Sequence, residues 1–180
     1  VFQCWRPIVL ALALVVGLLP LLADAAPGTT RIDWGAKASM PTGLASLELA
    51  TAPNGKLYAI AGNTVEEYDP ATNTWATKAP MPTRRANFGL AAAPNGKLYA
   101  AGGIWAEDQF LDSVEEYDPA TNSWATKAPM PTERCCLRLA TAPNGKLYAV
   151  GGEPLSVDMT VEEYDPATNS WAGPPARAAL

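Results

Sequence analysis

The stretch VEEYDPATNSW, Val114 to Trp124, is written again letter for letter from Val161 to Trp171, and with one change, VEEYDPATNTW, from Val65 to Trp75. A single active site needs its residues once. A repeated architectural unit needs its packing and turn residues in every copy. Two further landmarks keep the same frame. PNGKLYA begins at Pro53, Pro94 and Pro143, and MPT begins at Met40, Met81 and Met130, always the same distance ahead of Pro-Asn-Gly. Successive PNGKLYA copies are 41 and then 49 residues apart, and the difference lies in one segment. That segment is Asn63-Thr64 in copy one, Ile104 to Ser113 in copy two and Glu153 to Thr160 in copy three. A fixed frame with one variable insertion point is the pattern of stacked units that carry a loop on one face.

Each unit reads as four short strands. The first is apolar and small: Leu47–Thr51, Phe88–Ala92 and Leu137–Thr141. Pro-Asn-Gly then supplies a tight hairpin, with Gly free to take positive φ. The second strand, from KLYA, ends at glycines. The third is Val-Glu-Glu-Tyr, and Asp-Pro-Ala-Thr-Asn turns the chain into a fourth strand beginning at Trp75, Trp124 or Trp171. No helical period appears outside the N-terminal leader. One four-stranded sheet cannot cover both of its faces, so the copies are expected to stack and bury Leu, Tyr and Trp between them. Tyr68, Tyr117, Tyr164 and the three Trp therefore read as packing residues. Asp69, Asp118 and Asp165 read as turn formers rather than calcium ligands. The paired Glu residues of the third strand read as solubilising residues at a sheet edge.

A double glycine closing a strand, then a Tyr and a Trp seven residues later, in a unit near 50 residues, resembles the kelch repeat of β-propellers. Gly102-Gly103 with Tyr117 and Trp124, and Gly151-Gly152 with Tyr164 and Trp171, carry the pattern fully. Copy one departs, with Ala61-Gly62 in place of the pair. The resemblance implies an all-β fold: a partial kelch propeller of three four-stranded antiparallel blades, about 43–79, 84–128 and 133–175, within a repeat region of 34–180. RIDWGAKASMPT before the first blade matches NSWATKAPMPT, so one extra N-terminal strand is expected at Trp34, equivalent to Trp75. Propellers close with four to eight blades. Three leave two open faces, and the alternatives are a longer gene, two copies paired into a six-bladed ring, or a short arc. In such a pair, Arg138 of one chain is placed to face Glu48 of the other.

The 180 residues suit one domain, and 48% hydrophobic with 17% charged is enough for a core. A net charge of −5 argues against a broad nucleic-acid footprint. Arg6, the apolar run Ile8–Leu22 and Ala23-Asp24-Ala25 read as a signal peptide over 1–25, with a linker over 26–33. The expected location is secreted, periplasmic or otherwise extracytoplasmic, with no membrane attachment after cleavage. Cys4 falls in the leader. Cys135 and Cys136 are adjacent and read as two small buried apolar side chains, although a vicinal pair also suits a soft metal or redox chemistry.

No histidine occurs, which removes His-based acid–base work, His nucleophile partners and His metal sites. No catalytic residues, metal or cofactor are expected, and the chain is read as a non-enzyme. Function is sought where the copies differ. The resemblance places the link from fourth to next first strand and the link from second to third strand on one face. The first link carries Arg84, Arg85, Glu133 and Arg134; Arg85 and Arg134 match the arginine that follows Pro in kelch units. In kelch-type adaptors that face meets acidic peptides, so Ala at Arg85 and Arg134 is expected to weaken recognition without unfolding. The second link carries Trp105, Glu107, Asp108 and Phe110, aromatics suited to anchoring a partner. The leading expectation is an exported, non-catalytic module that binds protein or peptide. One alternative is a carbohydrate-binding or sugar-isomerising propeller resembling N-acetylneuraminate epimerase, if dimerisation or further sequence completes the ring. Another is a purely structural arc.

Overall fold

In the computed structural model, residues 35–105, 109–153 and 160–173 are described. They form no helix, and so none long and apolar enough to cross a membrane. Blade 1 contains β1 (Glu48–Thr51), β2 (Leu57–Ala61), β3 (Thr64–Asp69) and β4 (Thr74–Thr77). Blade 2 contains β5 (Gly89–Ala92), β6 (Leu98–Ala101), β9 (Val114–Asp118) and β10 (Ser123–Lys127), and blade 3 contains β11 (Arg138–Thr141), β12 (Leu147–Val150), β13 (Val161–Asp165) and β14 (Ser170–Ala172). Each is a four-stranded antiparallel meander in sequence order. The first strand of every blade starts one residue later than the apolar run suggested. The compact unit begins at Ala36. The expected leader, linker and Trp34 lie outside the described residues, and Gly35 and Ala36 carry no strand.

The repeated letters act as turn and packing devices. Asn54 Oδ1 accepts the Lys56 N–H at 3.0 Å, and its amide donates to the Tyr58 hydroxyl at 3.0 Å, so one side chain ties the hairpin to the strand after it. Asp69 Oδ1 accepts the Ala71 N–H at 2.8 Å, and Asp118 and Asp165 repeat this at 2.9 Å. These aspartates are turn formers, as read from the sequence. The turn ends at Asn73, Asn122 or Asn169, each with φ between 51° and 55°, a left-handed conformation that Asn tolerates.

Those asparagines also join the blades. Asn122 Oδ1 accepts the Tyr117 hydroxyl at 2.7 Å and the Ala79 N–H at 2.9 Å, while Trp124 Nε1 donates to the Ala79 carbonyl at 2.9 Å. Blade 2 thus clamps the segment leaving blade 1. Asn169 and Trp171 hold Ala128 in the same way, and Asn73 and Trp75 hold Ala38. Ala38 therefore occupies the place of a linker residue ahead of blade 1. The tyrosine must reach Asn and stack on Trp at once, with ring centroids 4.9–5.1 Å apart, which explains the invariant Tyr–Asn–Trp spacing.

Between blades 1 and 2, Tyr58, Ile60, Val65, Met81, Phe88, Leu90 and Tyr117 form one apolar cluster. Between blades 2 and 3, Tyr99, Val114, Met130, Leu137, Leu139 and Tyr164 form the second. Tyr58 meets Tyr117 edge-on at 5.8 Å, and Tyr99 meets Tyr164 at 5.6 Å. Burial, with smaller contributions from nearby acidic groups, pushes Tyr117 and Tyr164 up to about 12, so both stay neutral donors.

The Glu pairs are not edge guards. β3, β9 and β13 lie inside their sheets. Glu66, Glu67, Glu115 and Glu162 are buried, and Glu116 and Glu163 half-buried. The second Glu of each pair accepts the hydroxyl of Tyr58, Tyr99 or Tyr148 at 2.5–2.6 Å and pairs with a lysine: Lys56 and Lys78, Lys127, or Lys146. Burial works against the charged form of Glu67, but hydrogen bonds from Lys56, Tyr58 and Lys78 outweigh it and hold the carboxyl below its ordinary value. The first Glu turns to the MPT link, where Thr42, Thr83 or Thr132 donates to it at 2.7–3.0 Å.

Candidate binding face

The two kinds of link do share one face, and backbone pairing holds them together. Arg85 N–H donates to the Gly62 carbonyl at 3.2 Å, and Ala86 exchanges bonds with Ile104 at 2.8 and 2.9 Å. One blade further on, Gly103 N–H donates to the Arg134 carbonyl at 2.8 Å, and Cys135 exchanges bonds with Glu153 at 2.9 and 3.0 Å. The insertion of copy two is more than the loop expected from the sequence. It forms a small hairpin, β7 (Ile104–Trp105) with β8 (Gln109–Phe110), because the Ala86 backbone supplies a third chain for Ile104 to pair with.

Arg85 and Arg134 correct the sequence reading most sharply. They are 1% and 0% exposed, so neither is presented to a ligand. Arg85 Nη1 donates to the Gly102 and Ser113 carbonyls at 2.8 Å each, and Nη2 donates to Ser113 Oγ at 3.0 Å and Glu115 Oε2 at 2.9 Å. Arg134 Nη1 donates to the Gly151 carbonyl at 3.2 Å, and its Nη2 lies 2.7 Å from Glu162 Oε1 without hydrogen-bond alignment. The guanidinium thus donates to the carbonyl of the first glycine of each pair, and Arg85 adds a second donor to the Ser113 carbonyl, which also accepts the Gly102 N–H at 3.1 Å. Burial pulls Arg85 below its ordinary value, and the Glu115 carboxylate opposes that pull. Copy one has Leu44 at this position. There Glu66 is buried, and its donors among the described residues are hydroxyls, Thr42 at 3.0 Å and Thr77 at 3.0 and 3.2 Å.

Of the residues singled out on this face, Arg84, Trp105 and Glu133 are exposed and Phe110 is half-buried. Glu107 and Asp108 lie outside the described residues. Arg84 and Trp105 come together. They line a shallow depression of about 510 Å³ with Ala45, Ser46, Gly62, Arg85, Ala86 and Ile104. Glu133 lies on the next link and Phe110 on the far strand of the hairpin, and neither lines it. The indole is 50% exposed, and among the described residues Arg84 has no ion-pair partner. Ser46 and Gly62 were not singled out from the sequence. The available signal was the frame: Ser46, Asn87 and Cys136 share one position, each with φ of 52–57°.

The arc also exposes two sheet faces. Leu49, Leu90 and Leu139 are equivalent, yet the last two are 8% and 9% exposed and Leu49 is 53%. Val65 and Val114 are 0% and 1% exposed, while Val161, their equivalent, is 48%. Arg138 meets Glu48 within its own chain, at 3.4 Å. Gly89 on β5 lies between their strands, and having no side chain it leaves the path open.

A glycine-ended second strand and a Tyr–Trp pair that clamps the neighbour, three times in frame, with an arginine capping the strand in copies two and three, leave one family assignment. Profiles of the kelch motif match residues 84–131 and 134–176, together half of the chain. The chain belongs to the kelch-repeat family. Among solved structures, the kelch chain is similar to one titled "Structure of YjhT", with TM-score 0.66 and 21% identity over 77% of its own length. It spans about half, 53%, of that chain. No curated protein matches it in sequence. A shared fold at that identity identifies a kelch propeller architecture and no ligand.

Proposed function

We propose that the chain is an exported, non-catalytic recognition module that binds a protein or peptide at the depression between Arg84 and Trp105. One observation carries this reading. The loop-face arginine that copies two and three share is consumed internally, whereas Arg84, which copies one and three lack, stands open beside an exposed indole. Arg84 offers a bidentate donor to a carboxylate, and Trp105 offers a flat apolar surface with little rotamer entropy to lose. The matching ligand is a segment with an acidic residue next to an apolar one. Selection from a displayed peptide library should enrich that pairing. Arg84→Ala and Trp105→Ala should each weaken the selected peptides at least tenfold, an effect of about 1.4 kcal/mol or more, with the melting temperature unchanged. Failure to enrich any peptide, or equal binding by both variants, rejects the site. A carbohydrate reading uses the same indole, which can stack on a sugar ring; binding on a glycan array with no peptide enriched would favour it.

The exposed Leu49 and Val161 support a second element of the proposal, pairing of two copies. In the interior, a Val65-type residue of one blade is covered by the next blade, whose own Leu90-type residue is buried with it. The two open faces are thus the two halves of the contact already made twice within the chain, and two chains supply six blades, within the range at which propellers close. Light scattering of the chain freed of its leader should give twice the monomer mass, and Val161→Asp should return it to the monomer. A mass that stays monomeric at every concentration removes this element and leaves the peptide site standing.

A further inference from the structure

We propose that Cys135, Cys136 and Glu153 form a binding site for a soft divalent cation of the zinc type, at the link that enters blade 3. The Cys135 and Cys136 Sγ atoms are 3.1 Å apart, and with a Glu153 carboxylate oxygen all three ligand atoms lie within 4.8 Å of one another. The expectation of two buried thiols is corrected: Cys135 is buried and Cys136 is exposed. The pair is therefore reachable from solvent on one side and held by the protein on the other.

The backbone fixes all three residues before any ion arrives. Cys135 and Glu153 exchange both N–H to carbonyl bonds, at 3.0 and 2.9 Å, so their side chains leave neighbouring strands at one level. Cys136 is held at φ 57°, and its N–H donates to the Asn87 carbonyl at 2.7 Å. The same frame exists in the other copies without ligands. Ala86, Asn87 and Ile104 hold these three places in copy two, and Ala45, Ser46 and Asn63 in copy one. The frame demands none of the three donors, yet copy three supplies all of them, where the main chain brings the places together.

The donor set selects the ion. Two thiolates and one carboxylate suit a d¹⁰ cation and disfavour magnesium or calcium, which take oxygen ligands. With zinc–sulfur bonds of about 2.3 Å, a 3.1 Å span subtends about 85° at the metal, and opening it to about 3.8 Å reaches the tetrahedral angle. That is a small rotation of the exposed Cys136 side chain. Three protein ligands leave a fourth position for water. Binding to the two thiols must release their protons, so affinity rises with pH.

The test uses the reduced full chain with Cys4→Ser, which removes the cysteine of the leader. Titration with Cd²⁺ should give a thiolate-to-metal charge-transfer band that saturates at one ion per chain and is abolished by competing Zn²⁺. Cys136→Ser should lose most of the band and at least tenfold in affinity. Glu153→Gln should keep the band and still weaken binding about tenfold, since only a carboxylate ligand is removed. No saturation at one equivalent, or Cys136→Ser binding as tightly as its parent, overturns the site, and unchanged affinity in Glu153→Gln overturns the three-ligand assignment. Far-ultraviolet circular dichroism of each variant shows that the blades remain folded.

Discussion

Replacing Arg85 with alanine lowers the free energy of unfolding by about 3–5 kcal/mol, the cost of breaking a buried ion pair from one side. The change leaves the Glu115 carboxylate without its cation and the Gly102 carbonyl without its guanidinium donor, and takes from the Ser113 carbonyl one of its two donors. Urea denaturation measures it directly. A double variant, Arg85→Met with Glu115→Gln, should recover part of the loss, because it removes the stranded charge as well. Arg134→Ala should follow the same course through Glu162. The sequence reading gave the opposite result, weaker ligand binding with the fold intact. An Arg85→Ala protein of parental stability would return that arginine to the surface and undo the account of the loop face.

Gly103→Ala is the second large effect, at about 3–4 kcal/mol from two sources. Its φ of +103° is hostile to any L side chain, of order 1–3 kcal/mol. A Cβ would also sit 2.7 Å from the Ala86 carbonyl oxygen and 2.9 Å from Phe88 Cβ, an overlap of the kind that costs about 1–3 kcal/mol. The carbonyl cannot retreat, because Ala86 is bonded to Ile104. Gly96→Ala separates the two sources. Its φ is +84°, but nothing lies within 4 Å of its Cβ, so it carries only the conformational cost. Equal losses at Gly96 and Gly103 would show that close approach contributes nothing to the second glycine of the kelch pair.

Much of the molecule could be read from letters because its devices are local or periodic. Asn54 and Asp69 act on backbone two residues on, and Asn73 takes the left-handed turn position and accepts the Tyr68 hydroxyl five residues back, so their turns follow from type and spacing. The Tyr68–Trp75 stack joins neighbouring strands through one short turn. The Glu pairs were misread because a count of strands does not reveal which are interior. The hairpin β7–β8 was missed because what orders it is the Ala86 backbone, contributed by the preceding link.

The sequence alone determined the period, the four-strand unit, the turns and the family, since each depends on neighbours in the chain or on copies in register. Tertiary structure alone decided which charges face water. Arg85 reaches Glu115 across 30 residues and Arg138 reaches Glu48 across 90, and whether an arginine is spent inside or offered outside depends on how a link folds over the next blade. Arg84 and Arg85 are adjacent letters of one type. A single step along the backbone sends one side chain into the blade and leaves its neighbour beside Trp105.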